Sequence, residues 1–472
     1  MTRCNLDSLR LCRRLWSTPC ELFACLLAFK LTARSSQSKI HALVPAHAPS
    51  PAEMMRRLPL IDRATVVCAF AAACLATGML TISGVHAKPA KTTANAPKPA
   101  GARDGQAEVR LIEIYKLIGL AQTREALPKA EALVRDHPNF QLAQLVYGDL
   151  LNAQVRPIRA LGDVPDSTAR AAAPMLAELR KESQQRILAL RERPVGGLVP
   201  SQFLALSSQN KHAIAVDASR SRLYLFENSP TGMRLLSDYY ISVGKLGTEK
   251  KAEGDLRTPL GVYFITSNLS PKSLKEFYGA GALPINYPNQ LDVKRGKTGS
   301  GIWLHGTPRS QFARAPLATD GCVVLANPDL ERIIRTVEVR TTPVVIAQQL
   351  SWVAPTTARA DGKTFELALN SWHAAKSSGD IARVMRWYTS DFTSYGKTLT
   401  EWTPALQTEL KKQQGRSVQL KDISMMRWKD SNDTVVVTFG ELIQGAKTGQ
   451  VKRQYWMRQG DDWKIFFEGV IG

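Results

Sequence analysis

One histidine and one cysteine, 17 positions apart, are the residues with which this sequence could do covalent chemistry. His305 closes the apolar run Ile302-Trp303-Leu304 and is followed by Gly306-Thr307. Cys322 ends Thr319-Asp320-Gly321-Cys322 and leads into Val323-Val324-Leu325. The thiolate is the reactive form of cysteine, and a free thiol titrates near pH ~8.5. An imidazole beside it can take the proton or hold the thiolate as an ion pair. At the end of a strand, His305 would project from a firm support, with the Gly306 carbonyl free to orient the ring N–H. Gly321 lets a substrate approach the backbone closely. The N–H groups around Gly321 and Cys322 could hold an oxyanion, and one such donor is worth about 10²–10³ in rate. Spacing alone leaves a second possibility, a buried and inert thiol.

The other cysteines bear on that choice. Seven are present, and six of them, Cys4, Cys12, Cys20, Cys25, Cys68 and Cys74, precede residue 88. Residues 54–87 read as a secretory signal. Arg56, Arg57 and Arg63 precede the uncharged run Ala64 to Ile82, and Val85-His86-Ala87 supplies small residues for cleavage. The same run is long enough to serve as a retained membrane anchor. Residues 1–53 read as an extension ahead of the signal, with Met54 or Met55 as a natural start. Cleavage after Ala87 leaves Cys322 as the single thiol of an exported chain. An unpaired thiol in an oxidising compartment calls for a chemical reason. A redox role is disfavoured, because no C-x-x-C or resolving cysteine accompanies it.

The charge is strongly positive, +21 overall, and residues 88–472 carry 52 Lys and Arg against 37 Asp and Glu. That favours an anionic surrounding. The basic residues are scattered and form no nucleic-acid motif, so no nucleic-acid partner is expected.

The elements that must position the pair follow from hydrophobic period. Residues 88–106 are rich in Ala, Pro and Lys and read as an extended linker. Residues 107–195 are helical, with Leu111, Ile114, Leu117 and Ile118 at helical spacing. The pattern Gly119, Ala126, Ala130, Pro138-Asn139-Phe140 resembles one tetratricopeptide-type hairpin. It is a candidate for homodimerisation or protein docking, or a cap on the next domain. From about residue 208 to 350 the period shortens to that of strands: Ala213 to Asp217, Arg222 to Phe226, Leu235 to Val243, Val262 to Thr266, Gly301 to His305, Val323 to Leu325 and Pro343 to Ala347. A helix begins at Asn327-Pro328, with Asn327 as its expected N-cap. The loop from Ser267 to Gly301, with Tyr287-Pro288, is a candidate substrate lid. Thr357 to Asp361 reads as a linker. Residues 362–472 read as a compact α+β domain, helices over Phe365 to Lys376 and Asp380 to Tyr388 followed by strands. The fold class expected is therefore multidomain: a helical segment, a mainly β domain and a C-terminal α+β domain.

Three motifs in order place the β domain. Thr258-Pro259-Leu260-Gly261 turns into a strand, His305-Gly306-Thr307 follows an apolar strand, and Thr319-Asp320-Gly321-Cys322 comes next. Over about 140 residues this resembles the L,D-transpeptidase (YkuD-type) catalytic domain. The resemblance implies Cys322 as nucleophile, His305 as general base, the Gly306 carbonyl as the group orienting His305, and Gly321 in the oxyanion hole. Thr307, Thr319, Asp320 and Tyr287 become candidate substrate contacts. It implies no cofactor and no metal. The C-terminal segment, around Trp372, Gly379-Asp380, Trp387-Tyr388 and Trp463 to Phe467, resembles the SnoaL-like cone. The whole arrangement resembles the cell-shape-determining L,D-carboxypeptidases.

Two positions depart from the family form. Asp320 stands where histidine is common, and Val324 where arginine is common. The second change removes a cation that could hold a substrate carboxylate. The expected function is exported acyl transfer on peptidoglycan stem peptides in the periplasm, through a Cys322 thioester. The alternatives are an L,D-carboxypeptidase that trims the terminal D-alanine, and a catalytically silent wall-binding protein. A membrane partner is expected only through an uncleaved signal. His212 and His373 have no partner at metal-ligand spacing and are expected to be structural. Trp372, Trp387, Trp456 and Trp463 could line a pocket in the cone or fill its core.

Overall fold

A computed structural model of the protein describes residues 106–413 and 416–471. The expected signal, the extension before it and most of the linker lie outside the described residues.

Four main helices open the described chain. Gln106–Gly119 and Thr123–Asp136 form a hairpin, Gln141–Asn152 extends it, and the long helix Ala173–Arg191 packs against Gln141–Asn152. Leu111, Ile114, Ala126, Ala130, Leu133, Leu142 and Val146 form the shared core. The long helix buries a charge as well. Arg186 is 2 % exposed and donates to Glu182 (2.7 Å) and Glu108 (2.7 Å). Glu108 also accepts from Arg222, which opens the strand Arg222–Ser229 of the next domain (2.7 Å). Burial works against the charged form of Glu108, but Arg222 and Arg186 overcome it and bring its pKa down to about 2. Two arginines and two carboxylates thus cement the helical region onto the β domain.

The β domain is one nine-stranded mixed sheet. Its order runs Gly261–Phe264, Pro343–Ala347, His212–Asp217, Arg222–Ser229, Gly232–Gly244, Val323–Leu325, Trp303–His305 and Ala282–Pro284, with Leu317–Thr319 paired to the end of Gly232–Gly244. The interior strand His212–Asp217 is apolar from Ala213 to Val216 and buried on both faces there, as a sheet covered on both sides requires. The helix Asn327–Thr336 covers one face through Leu330 and Ile333, spaced i, i+3. Its N-cap is Ala326 rather than Asn327, whose amide is engaged elsewhere.

The C-terminal region is an antiparallel sheet, Val418–Lys429, Asp433–Ile443, Gln450–Gln459 and Asp462–Val470, extended by Tyr388–Ser394 and packed on helices Pro355–Ser377 and Leu399–Gln413. Trp372, Trp456 and Trp463 are core residues of this cone, and Trp387 packs against them. Two expectations change. Thr357 to Asp361 is not a linker. The helix Pro355–Ser377 runs through it, because Pro355 sits at the favoured first turn and Ala358 and Gly362 are buried, Gly362 facing Leu204. The second expected helix is the short Ile381–Met385, and Tyr388 already starts a strand. Phe203–Ala205 precedes the β domain in sequence, yet it forms the edge strand of the C-terminal sheet, against Met425 and Met426. A common core then joins the two, with Phe203, Tyr224 and Phe226 meeting Met426, Trp428, Tyr455 and Phe466.

Candidate active site

His305 and Cys322 come together because their strands are neighbours. Val323–Leu325 runs parallel to Trp303–His305, with Val323 opposite Leu304 and Val324 opposite His305. His305 ends its strand and Cys322 precedes the next. Both line one cleft of about 210 Å³, with Lys250, Tyr278, Gly301 and Arg314 among its other walls.

His305 is 1 % exposed. Its Nδ1 lies 2.7 Å from the Gly306 carbonyl. A carbonyl can only accept, so Nδ1 carries the proton and Nε2 keeps its lone pair. The rings of Tyr278 and Phe277 pack against the imidazole at 5.0 and 5.7 Å. Burial is the main reason its pKa falls to about 4, and the Arg314 charge adds to it against the opposing Gly306 bond. At neutral pH the ring is an uncharged base.

The backbone around Gly306 is held by Asn327. Its Oδ1 accepts from the N–H groups of Ala280 (2.9 Å) and Thr307 (3.2 Å), and its Nδ2 donates to the Thr307 carbonyl (2.8 Å). A Cβ on Gly306 would collide with that same Oδ1, so the position requires glycine. This explains the missing N-cap, since the side chain expected to cap the helix serves as a clamp behind the histidine.

Cys322 is half-buried, and its thiol points toward the Gly301 carbonyl at 3.5 Å. Burial raises its pKa, with Asp320 acting in the same direction, while the Trp303 N–H, Arg314 and Lys250 pull it back only in part. The resting pair is therefore neutral thiol and neutral imidazole. The turn before the cysteine is tightly fixed. Gly321 has φ +124°, and a Cβ there would meet the Arg257 carbonyl at 2.6 Å. Its carbonyl accepts from the fully buried Thr258 hydroxyl (2.9 Å), which also accepts from the Gly244 N–H (2.9 Å). The T-P-x-G threonine thus ties the nucleophile turn to the neighbouring strand.

The other expected residues fall into two groups. Thr319 and Asp320 line the cleft. The Thr319 hydroxyl is engaged within the turn, accepting from the Gly321 N–H (3.1 Å) and donating to the Cys322 carbonyl (2.7 Å). Asp320 is exposed and paired with Lys245 (2.9 Å). Thr307 and Tyr287 are not brought into the cleft. Thr307 is fully buried and donates to the Gln311 carbonyl (2.7 Å), and Tyr287 is buried with its hydroxyl on the Thr298 carbonyl (3.0 Å). The long loop is likewise threaded into the core through Ile285, Tyr287 and Leu291, while Phe277, Tyr278 and Gly299 to Ile302 reach the cleft.

Arg314 was not singled out by the sequence. It lies in the loop joining His305 to Cys322 and reaches the cleft, its guanidinium 4.6 Å from the centre of the Phe277 ring. Val324, where the family form has arginine, is a buried strand residue.

Residues 211–346 match the L,D-transpeptidase catalytic domain family, called YkuD. Residues 211–346 are an L,D-transpeptidase catalytic domain. Behind it, residues 364–469 match the Cds6 C-terminal NTF2-like domain. Among solved structures the chain is similar to Bd1075 of Bdellovibrio bacteriovorus, at 27% identity and TM-score 0.50, over 58% of this chain and 98% of that one. It is also similar to the helical cell shape determining protein Pgp2 from Campylobacter jejuni, at 21% identity and TM-score 0.45, over 62% and 98%. No curated protein matches the chain. Among the described residues no group of three or more His, Cys, Asp or Glu is arranged to hold a metal ion, and no helix is long and apolar enough to cross a membrane.

Proposed function

We propose that the L,D-transpeptidase domain transfers the acyl group of a peptidoglycan stem peptide through a thioester on Cys322, in a chain exported to the periplasm. The observation that carries this reading is the shared cleft of Cys322 and His305, with Nδ1 of His305 anchored on the Gly306 carbonyl.

That geometry supports a two-step acyl transfer. Cys322 Sγ attacks the carbonyl carbon between the L-centre and D-alanine, and its proton passes to Nε2 of His305. A thiol whose pKa is raised needs this base during attack, because little thiolate is present beforehand. The Cys322 N–H is the oxyanion donor, since that of Gly321 already bonds to Thr319. The C–N bond breaks, and the departing nitrogen takes the proton from Nε2, releasing D-alanine. An amine of another stem then attacks the thioester carbon, giving its proton to His305, and the C–S bond breaks to return the thiolate. That amine gives a cross-link.

If water is the acceptor, the same enzyme is an L,D-carboxypeptidase and the product is a shortened stem. This second reading is favoured by the Cds6-type C-terminal domain behind the catalytic domain, the architecture that resembles the cell-shape carboxypeptidases.

The test is incubation of purified protein with tetrapeptide muropeptides. D-alanine release that disappears in Cys322→Ala supports acyl transfer. Cross-linked dimers mark the transpeptidase, and tripeptides alone mark the carboxypeptidase. Binding without any release by the wild-type protein would leave the silent wall-binding role instead.

A further inference from the structure

Arg314 is a cation with no carboxylate in contact, although the Cys322 thiol and the rim carboxylate of Asp320 are near enough to favour its charge. Among the described residues it forms no ion pair and no side-chain hydrogen bond, and its guanidinium lies over the face of Phe277. The other charges near it are already matched. Lys250 donates to Asp255 (2.7 Å) and to the Ala252 carbonyl (2.9 Å), and Asp320 is held by Lys245. A half-buried guanidinium gives up much of its hydration, so an unmatched one is costly unless a ligand completes it.

The loop that carries it is firmly held. The Arg314 carbonyl accepts from the Tyr240 hydroxyl (2.8 Å), and the Ala315 carbonyl accepts from Ser242. Two residues earlier, Phe312 stacks on Phe140 of the helical region, ring centres 4.2 Å apart, and the Phe312 N–H donates to the Asn139 carbonyl (3.1 Å). The Tyr240 ring in turn lies 3.9 Å from the Arg186 guanidinium. The helical region thus holds the loop directly at Phe312 and, through Arg186 and Tyr240, reaches the Arg314 backbone.

Resting on the acyl-transfer reading above, we infer that Arg314 binds the terminal carboxylate of the stem peptide and so selects the chain-terminal residue as the leaving group. The scissile carbonyl must sit at Cys322. The carboxylate of the departing residue is only the leaving nitrogen and one carbon away from it, which keeps it inside the cleft that Arg314 and Cys322 share. A planar guanidinium meets a carboxylate with two parallel N–H bonds.

The experiment uses two tetrapeptide stems, one ending in a free carboxylate and one in a carboxamide. Their binding is measured on the full chain carrying Cys322→Ala, with and without Arg314→Ala, so the result does not depend on turnover. The free acid should bind about 10- to 100-fold more tightly than the amide. Arg314→Ala should erase that ratio by weakening the acid alone, and Arg314→Lys should restore part of it. Equal binding of acid and amide in the Cys322→Ala chain, an equal loss of both in Arg314→Ala, or no binding of either would overturn the inference. A ratio that appears only when the side-chain carboxylate of the donor residue is amidated would also overturn it. Acid-selective binding with no release by the wild-type chain would keep Arg314 as the carboxylate site and sink acyl transfer, and with it the choice of leaving group.

Discussion

Arg186 and Arg314 are both arginines drawn into the protein, and they differ in what surrounds them. Arg186 lies between Glu108 and Glu182, beside the Tyr240 ring, with its donors engaged on both carboxylates. Arg314 faces a cleft, with an aromatic ring on one side and no carboxylate partner among the described residues. The C-terminal cone repeats the first pattern, where Lys452 bonds Glu409, Glu441 and Glu468 and Lys376 bonds Glu409. A buried charge that the protein neutralises itself is part of the structure. One left open beside a nucleophile is kept for something that arrives from outside.

The largest effect should come from breaking this contrast on the structural side. Arg186→Met leaves Glu108 and Glu182 buried with less compensation and should cost about 3–5 kcal/mol of stability. Arg314→Met removes an uncompensated cation and should leave stability unchanged or raise it by up to about 1 kcal/mol. Urea unfolding of the two variants measures both. Equal losses would mean that Arg314 is also a structural ion, with a partner in solution that the fold does not show.

A smaller effect separates the two regions by pH. His305 titrates near 6.5 in an unfolded chain and at about 4 here, because burial penalises the imidazolium. In that window the unfolded state binds the proton and the folded state does not. Its stabilisation is complete above about pH 6.5 and is lost as pH falls through about 4. Glu108, lowered from 4.5 to about 2, acts in the same direction in a lower window, between about 4.5 and 2. The wild-type protein should therefore lose stability in two stages on acidification, and His305→Gln should shrink the upper one, leaving the part that His137, also lowered by burial, contributes. The acid limb of kcat/KM should sit near 4, because the base remains neutral until then. A limb near 6.5 would show that the imidazole is hydrated in solution.

The parts of this arrangement legible in the sequence were local. His305-Gly306-Thr307 and Thr319-Asp320-Gly321-Cys322 combine a strand end with a glycine turn, and such segments announce themselves by residue type. The core strands did so too, since Ala213 to Asp217 and Pro343 to Ala347 are unbroken apolar runs. What stayed hidden depends on distant contacts. Arg314 is one arginine among many in a loop without periodicity, and only the folded chain brings it to Cys322. Asn327 reads as a cap because it precedes Pro328, but the pull of Ala280, Thr307 and Gly306 on its amide is invisible along the chain. Thr357 to Asp361 looks like a linker until the edge strand Phe203–Ala205, supplied from before the catalytic domain, gives that helix a surface to bury. The one signal that could have led to Arg314 was Val324, where the family's expected cation is missing.

The smallest predicted effect concerns the rim, where charge is matched but exposed. Asp320 raises the Cys322 pKa, while Lys245 pairs with Asp320. Asp320→Asn removes a negative charge near the thiol, so the thiolate becomes easier to form. Lys245→Ala leaves Asp320 unpaired, so the thiolate becomes harder to form. Alkylation of Cys322 by iodoacetamide at neutral pH should therefore speed up in the first variant and slow down in the second. Each change should be roughly 1.5- to 5-fold, because an exposed pair is worth only about 0.2–1 kcal/mol, and added salt should shrink both. Arg314→Ala should slow alkylation as well, since its charge favours the thiolate. Being half-buried, it should resist salt better than the rim pair. If salt erased the Arg314 effect as readily as the other two, the cleft cation would be as well hydrated as the surface pair, and the difference between matched and open charges would not hold at this site.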